Sequence, residues 1–233
     1  MLWIGDSITQ YGAMLAHQGY LLAIGDAYVR KRDVICRGFS GYNTAMVASI
    51  LPDILLPFAA RTSFVSIFLG ANDAVFPGGR QHVPLDAYQR HLTGMIERCQ
   101  TLRATDGTSP PTLFLITPPP VHQPLLAEFN RKKGKTVLID RANEHTEQYA
   151  NVVRSFHDPA KGIYVIDLFA ALLPRLADET TAASYLHDGL HLGVEGNRVL
   201  STLLLDQLRS IPSLDPDALP LYFPHHADFV LPT

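Results

Sequence analysis

Five short segments of this chain are almost continuously apolar, and they limit its fold more than any other feature does. They lie at 2–5, 33–37, 64–70, 112–117 and 163–168. Runs without polar alternation are typical of strands buried on both faces, as in a parallel sheet. Between them, apolar residues recur at helical spacing at 20–29, 45–58, 85–102, 139–153 and 197–211. Strands that alternate with helices predict an α/β fold with three α/β/α layers.

The domain organisation follows from the length and from the absence of a convincing linker in the sequence. A chain of 233 residues can bury the core of one full-sized domain. The Pro/Gly/Ser-rich stretch at 105–111 is short, so it reads as a loop between a helix and a strand. We therefore predict a single domain, 1–233, with an irregular proline-rich tail from about residue 212.

Composition and charge exclude several classes of function. Hydrophobic residues make up 47%, the net charge is -3 and no long Lys/Arg block occurs, so we predict no nucleic-acid partner. No run approaches the roughly 18 apolar residues of a membrane span, and the apolar stretch 1–4 is too short for a signal peptide and lacks a basic leader, so we expect a cytoplasmic protein. Cys36 and Cys99 lack metal or redox spacing and are expected to be small buried hydrophobes. The oligomeric state stays open, with a homodimer as one option.

Polar residues follow the first three predicted strands at the point where each strand ends. Asp6 and Ser7 follow the first, "GFSGYN" with Gly41 follows the second, and "GANDA" with Asn72 follows the third. In parallel α/β sheets the active crevice lies beyond the carboxyl ends of the strands. We therefore expect these three loops to open on one edge.

Ser7 has two interpretations, a helix cap and a nucleophile. A serine hydroxyl attacks a carbonyl efficiently only when a base takes its proton. In "HDGLHLGVEGN", Asp188 stands three residues before His191, and on a helical turn such side chains share a face. Asp188 could then hold the imidazole while the other ring nitrogen faces Ser7. A metal site at His187 and His191 is the alternative, but the Glu of H-E-x-x-H and a nearby Cys are missing, so we predict no metal and no cofactor.

Four blocks of the chain together resemble a known family. "GDSITQYG", "RGFSGYNT", "LGAND" and "DGLHLGVEGN" occur in the order found in the GDSL-type SGNH hydrolases. Within that family, "RKRDVICRGFSGYNTAMVASILPDIL" and "IFLGANDA" are similar to the branch of the isoamyl acetate-hydrolysing esterases. The resemblance covers residue 2 to about residue 208. It implies an esterase on a flavodoxin-like, five-stranded parallel sheet.

The resemblance also implies a role for five residues. The nucleophile falls on Ser7, the oxyanion-hole donors on Ser7, Gly41 and Asn72, and the acid and base on Asp188 and His191. The chemistry asks for the same residue types, since an oxyanion needs donors that are in place before the charge develops. Taken singly, Gly41 and Asn72 could each be ordinary turn residues. Their joint occurrence on successive strand ends favours the catalytic interpretation.

The substrate is the least constrained feature of the sequence. Ser40 in "GFSGY" is a weak rival nucleophile, because Tyr42 breaks the G-x-S-x-G pattern. Phe76 and Val121 lie in loops that follow the third and fourth strands, and we expect them to contact a small uncharged ester. Thioesters, lysophospholipids and acetylated sugars remain alternatives, as does a non-catalytic interaction module of the same fold.

Overall fold

The computed structural model describes residues 1–59, 62–104, 106–137 and 139–229, so residue 105 of the predicted loop and 230–233 of the predicted tail lie outside the described residues. All neighbouring strands of its sheet run parallel, in the order β2-β1-β3-β4-β5. That order is the flavodoxin-like one. The strands are β1 Leu2–Gly5, β2 Ile35–Gly38, β3 Phe64–Phe68, β4 Thr112–Ile116 and β5 Ile163–Ile166. The predicted α/β fold with a five-stranded parallel sheet is confirmed.

Helices cover both faces of the sheet. Short 3₁₀ turns lie at Leu15–His17, Leu56–Phe58, Pro159–Lys161, Leu173–Arg175 and His226–Asp228. The α-helices are α1 Ser7–Gly12, α2 Tyr20–Ala27, α3 Thr44–Leu55, α4 Leu85–Cys99, α5 Gln123–Lys132, α6 Asn143–Arg154, α7 Leu168–Leu172, α8 Glu179–Tyr185 and α9 Val194–Arg209.

The continuous apolar runs are explained by burial on both sides of the sheet. Trp3, Phe64 and Phe114 point to one face and form a hydrophobic cluster with residues of α2, α7 and α9. Leu2 and Val65 point to the opposite face and form a second cluster with α3, α4 and α6. Because successive strand residues alternate between faces, a strand with helices on both sides needs apolar residues at every position. Full burial of each large side chain contributes about 1.5–3 kcal/mol.

Three strand ends lie level with one another, and this brings the polar loops together. Gly5 at the end of β1 pairs with Gly38 of β2 and with Phe68 of β3. Helix α1 starts immediately after β1 and crosses β2 so closely that a Cβ on Gly38 would lie 2.1 Å from the backbone nitrogen of Gln10. Only glycine permits this approach. The loops after β1, β2 and β3 therefore open on the same edge, as predicted.

The observed elements differ from the predicted ones mainly at their ends. Strand β2 begins at Ile35, two residues later than predicted. The helix predicted from residue 139 begins at Asn143, because the backbone before it is used in loop contacts: the carbonyl of Asp140 accepts the N–H of Phe76 at 2.8 Å. Helices α5, α7 and α8 were not among the helices predicted from apolar periodicity, whereas a helix starting at Ser7 was expected and is present as α1.

After α9 the chain continues through a series of turns. Leu214 in this segment is buried in the same cluster as Trp3, and its carbonyl accepts a hydrogen bond from the hydroxyl of Tyr28. Among the described residues, no helix combines the length and the apolar character needed to cross a membrane.

Candidate active site

Ser7 is hydrogen-bonded to a histidine from the far end of the chain. Its Oγ lies 2.8 Å from Nε2 of His191, 184 residues later. Ser7 is the first residue of α1, directly after β1, and it is only 6% exposed. As the first helical residue, Ser7 carries one of the four N–H groups that the helix itself cannot satisfy. The arrangement joins a hydroxyl, a base and a free backbone donor at one point.

Asp188 holds the other side of the His191 ring. Its Oδ2 lies 2.7 Å from Nδ1 of His191, and its Oδ1 accepts the backbone N–H groups of Leu190 at 3.0 Å and His191 at 2.8 Å. Burial favours the neutral acid, but the hydrogen bonds from His191 outweigh it and lower the pKa of Asp188 to about 2. Asp188 is therefore a carboxylate at neutral pH.

The segment 187–192 is a tight turn, not the helical turn that the spacing suggested. An antiparallel bridge between Leu186 and Leu192 closes it, and the N–H of His187 donates to the carbonyl of His191 at 3.1 Å. The predicted pairing of Asp188 and His191 is present, but the two side chains meet because Asp188 caps the turn through its Oδ1.

Gly41 and Asn72 lie in the loops that follow β2 and β3. Gly41 has a φ of +83°, a conformation that favours glycine, and its carbonyl accepts a hydrogen bond from the Gln81 side chain at 2.8 Å. Asn72 is 5% exposed, and its Nδ2 donates to the carbonyl of Tyr42 at 2.8 Å. An amide nitrogen carries two hydrogens, so this bond fixes the side chain and leaves one N–H for another acceptor.

Asp73 links the same two loops and was not predicted as a site residue. Its Oδ1 accepts the backbone N–H of Thr44 at 2.9 Å and also the Thr44 hydroxyl at 2.5 Å. Thr44 begins α3, three residues after Gly41, so the bridge fixes the loop after β2 against the loop after β3. Burial raises the pKa of Asp73 to about 6, although the bonds from Thr44 oppose this. Both residues stand inside the quoted blocks "GAND" and "GYNT", so the signal was available.

Asp6 is buried directly before Ser7. Its Oδ1 accepts the N–H of Ile8 at 2.8 Å and so caps α1. Burial raises the pKa of Asp6 to about 7, and the bond from Ile8 opposes this only partly. The cap interpretation thus holds for Asp6, while the Ser7 hydroxyl faces His191.

Three rings, those of Tyr11, His17 and His187, lie around His191, and the four together are here called the ring cluster. The Tyr11 ring lies 5.0 Å from His191 and 4.9 Å from His17, and His187 lies 5.3 Å from His17 and 5.9 Å from His191. Tyr11 could have been found, because it lies four residues after Ser7 on one face of α1. Three potential metal-ligand atoms, one each from His187, Asp188 and His191, all lie within 4.8 Å of one another. This geometry could hold a metal ion.

The predicted pocket walls have different environments. Phe76 is 36% exposed, with its ring 5.8 Å from that of His145. Val121 is 3% exposed, belongs to the hydrophobic cluster that contains Leu126, and is tied by its backbone to the side chain of Asn143. A substrate contact stays a prediction for both residues.

The rival serine is placed differently from Ser7. Ser40 is exposed, and its N–H donates to Oε1 of Gln10 at 2.9 Å. The structure brings His191 to Ser7 instead.

The chain is similar to known proteins in sequence and in fold. Residues 3–199 match the model of the GDSL-like lipase/acylhydrolase family. The chain is 38% identical to an isoamyl acetate-hydrolyzing esterase 1 homolog of Rattus norvegicus, over 93% of this chain and 86% of that protein. It is 32% identical to a GDSL esterase/lipase of Arabidopsis thaliana, over 96% of this chain and 90% of that protein. The fold is similar to that of a lipase/acylhydrolase from Enterococcus faecalis, with a TM-score of 0.63, 21% identity and coverage of 90% and 94% of the two chains.

Proposed function

Because the chain belongs to the GDSL-like lipase/acylhydrolase family and is a carboxylic ester hydrolase, we propose that Ser7 is its nucleophile and that small acetate-type esters are its substrates. The observation that carries the proposal is the chain of hydrogen bonds from Ser7 through His191 to Asp188, at 2.8 and 2.7 Å. Serine, imidazole and carboxylate in this order form the arrangement that generates a serine nucleophile.

The reaction proceeds in two steps through an acyl-enzyme. Nε2 of His191 takes the hydroxyl proton as Oγ of Ser7 attacks the ester carbonyl, and the same nitrogen then protonates the leaving alcohol. A water molecule, deprotonated by His191, attacks the acyl group and releases the acid. Asp188 stays ionised, holds the Nδ1–H of His191 and stabilises the imidazolium formed in each step.

Three donors stabilise the negative oxygen of the tetrahedral intermediate. They are the backbone N–H groups of Ser7 and Gly41 and the second N–H of the Asn72 amide. The Asn72–Tyr42 bond and the Asp73–Thr44 bridge hold these groups in place before the substrate arrives. Such preorganised donors are effective because they need no reorientation when charge develops.

The preference for small uncharged esters rests on the relatives and on the predicted walls. The relative from Rattus norvegicus is named for hydrolysis of isoamyl acetate, an ester of a two-carbon acid with a short branched alcohol. Phe76 presents a partly exposed aromatic ring in a loop after β3, where it can contact such an alcohol.

Labelling and a substrate series test the proposal. A fluorophosphonate probe should label the wild type and leave Ser7→Ala unlabelled, with Ser40→Ala as the matched control that labels normally. In a series of p-nitrophenyl esters, kcat/KM should be highest for acetate and fall with acyl length. Labelling of Ser7→Ala would contradict the nucleophile, and a maximum at long acyl chains would contradict the substrate class.

The setting of the enzyme is also proposed here. We place it in the cytoplasm, since its cysteines Cys36 and Cys99 are free thiols. Cys99 is buried as expected, whereas Cys36 is only half-buried, so the expectation was wrong for Cys36. We also propose a single domain with an irregular tail. A homodimer is the oligomer to test by light scattering on the purified chain. No nucleic-acid partner is expected.

A further inference from the structure

The turn that carries His191 also brings together three side chains of metal-ligating type. His187, Asp188 and His191 offer two imidazole nitrogens and one carboxylate oxygen, all within 4.8 Å of one another. Oδ2 of Asp188 lies between the rings, 2.7 Å from Nδ1 of His191 and 3.7 Å from Nε2 of His187. Imidazole and carboxylate are the ligands that Zn²⁺ takes alongside thiolate, and three protein ligands plus water complete its tetrahedral shell.

The surroundings of His187 suit a ligand. Its Nδ1 lies 3.3 Å from the carbonyl of Leu192, which orients the ring with Nε2 toward Asp188. A metal-binding histidine usually donates its other N–H to such a carbonyl. The His187 side chain is 36% exposed, so a hydrated ion can reach it from solvent. Ligand nitrogens on one Zn²⁺ lie about 3.3 Å apart, so the exposed His187 ring has only a short distance to move.

We propose that His187, Asp188 and His191 form an inhibitory site for Zn²⁺. The metal binds the lone pair of Nδ1 on His191, and the ring then carries its proton on Nε2, which faces Ser7. That tautomer donates to Oγ of Ser7 and cannot accept its proton, so acylation stops. The ring stays neutral overall: Nδ1 releases one proton, Nε2 gains one, and Asp188 becomes a metal ligand. The inhibition rests on the proposed role of His191, whereas binding of the metal does not.

This inhibitory site differs from a catalytic metal site, which was the alternative considered for His187 and His191 from the sequence. The ion blocks the base and supplies nothing to the reaction, so the metal-free protein is the active form. His17 is the one histidine of the ring cluster outside the three-residue ligand group, and its ring stacks on that of His187. It therefore serves as a matched control.

The experiment uses purified full chain and Zn²⁺ as the probe. Calorimetry measures binding of Zn²⁺, and hydrolysis of p-nitrophenyl acetate measures inhibition at buffered free Zn²⁺. For the wild type we expect binding at this site and loss of activity that EDTA reverses. His187→Phe, which keeps a ring against His17, should raise the half-inhibitory Zn²⁺ concentration at least about tenfold, with the rates of each protein referred to its own metal-free activity. His17→Phe should leave the Zn²⁺ response as in the wild type.

A second substitution of His187 and a change of the two tail histidines show whether Zn²⁺ acts at the proposed site. His187→Gln should reproduce His187→Phe if ligation matters and the aromatic ring does not. Replacing both His225 and His226, an exposed pair in the tail, should leave the inhibition intact. Equal Zn²⁺ sensitivity of the wild type and both His187 variants would overturn the proposal, as would absence of binding to the wild type. Metal-free hydrolysis that survives Ser7→Ala would overturn the proposed function instead, because calorimetry reports the site without any activity.

Discussion

Replacing Asn72 by alanine separates a role in catalysis from a role in the turn. The side chain is 5% exposed, and one of its two N–H groups is used on the carbonyl of Tyr42 at 2.8 Å. If the second N–H binds the developing oxyanion, its loss acts on the transition state and much less on the bound substrate. Loss of one such donor costs about 2.7–4 kcal/mol, or roughly a hundred- to a thousandfold in kcat. KM should change little.

The same substitution also has a cost in folding stability that the structure allows us to bound. It leaves the partly buried carbonyl of Tyr42 without its amide donor, which costs about 1–3 kcal/mol. For a chain of this size each kcal/mol shifts Tm by about 2–4 °C. Asn72→Ala should therefore melt about 2–12 °C below the wild type and remain folded at 25 °C.

Tyr149→Phe is the matched control. It removes a comparable bond, from a buried hydroxyl to the carbonyl of Val83 at 2.7 Å, and this bond involves none of the three proposed oxyanion donors. We expect a similar fall in Tm and a normal kcat. The assay is kcat and KM on p-nitrophenyl acetate per folded molecule, with thermal unfolding followed by circular dichroism. Normal turnover in Asn72→Ala with a lowered Tm would refute the oxyanion role, and so would equal losses of kcat in both variants.

Three further substitutions test the remaining parts of the site. Ser7→Ala should lower kcat at least about 10⁴-fold, and the activity of the wild type should persist in excess EDTA. Normal turnover in Ser7→Ala together with an inactive Ser40→Ala would show that Ser7 is not the nucleophile. Asp188→Asn should reduce kcat by about 10⁴-fold, and because the pKa of Asp188 is about 2, titration of this carboxyl should not affect kcat/KM above about pH 4. The pKa of Asp6 is raised from 3.8 to about 7, so the native state binds this proton more tightly than the unfolded state does. The free energy of unfolding should therefore fall by up to about 4 kcal/mol as the pH rises from about 4 through 7. Asn can still cap α1 but does not titrate, so Asp6→Asn should reduce this loss of stability with rising pH. Curves of Tm against pH that run parallel for the two proteins between pH 5 and 8 would contradict the raised pKa of Asp6.

Local patterns in the sequence were sufficient for all five strands and for helices α2, α3, α4, α6 and α9. The five apolar runs became the five strands, with Leu2–Gly5 matching at both ends. The prediction works because a strand between two helix layers must be apolar at every position, and this requirement is visible in a few consecutive residues. The helix predicted from residue 139 was placed too early, because the contact of Asp140 with the distant Phe76 leaves no local trace.

The candidate site divides in the same way. The residue types at the strand ends, Ser7, Gly41 and Asn72, could be proposed from motifs, since each follows a recognisable strand. The conformation of the turn that carries Asp188 and His191, and the positions of His17 and His187 beside it, could not be worked out from spacing alone.

The sequence by itself determined the five strands, the five helices with clear apolar periodicity, the family resemblance and the chemical types at the site. Only the tertiary structure decided the distance from Ser7 to His191, which are 184 positions apart, and the level alignment of Gly5, Gly38 and Phe68. The physical reason is that periodicity and capping act within a few turns of chain, whereas register and side-chain hydrogen bonds depend on how the layers pack. Catalysis requires groups placed to within a fraction of an ångström, and packing sets that placement.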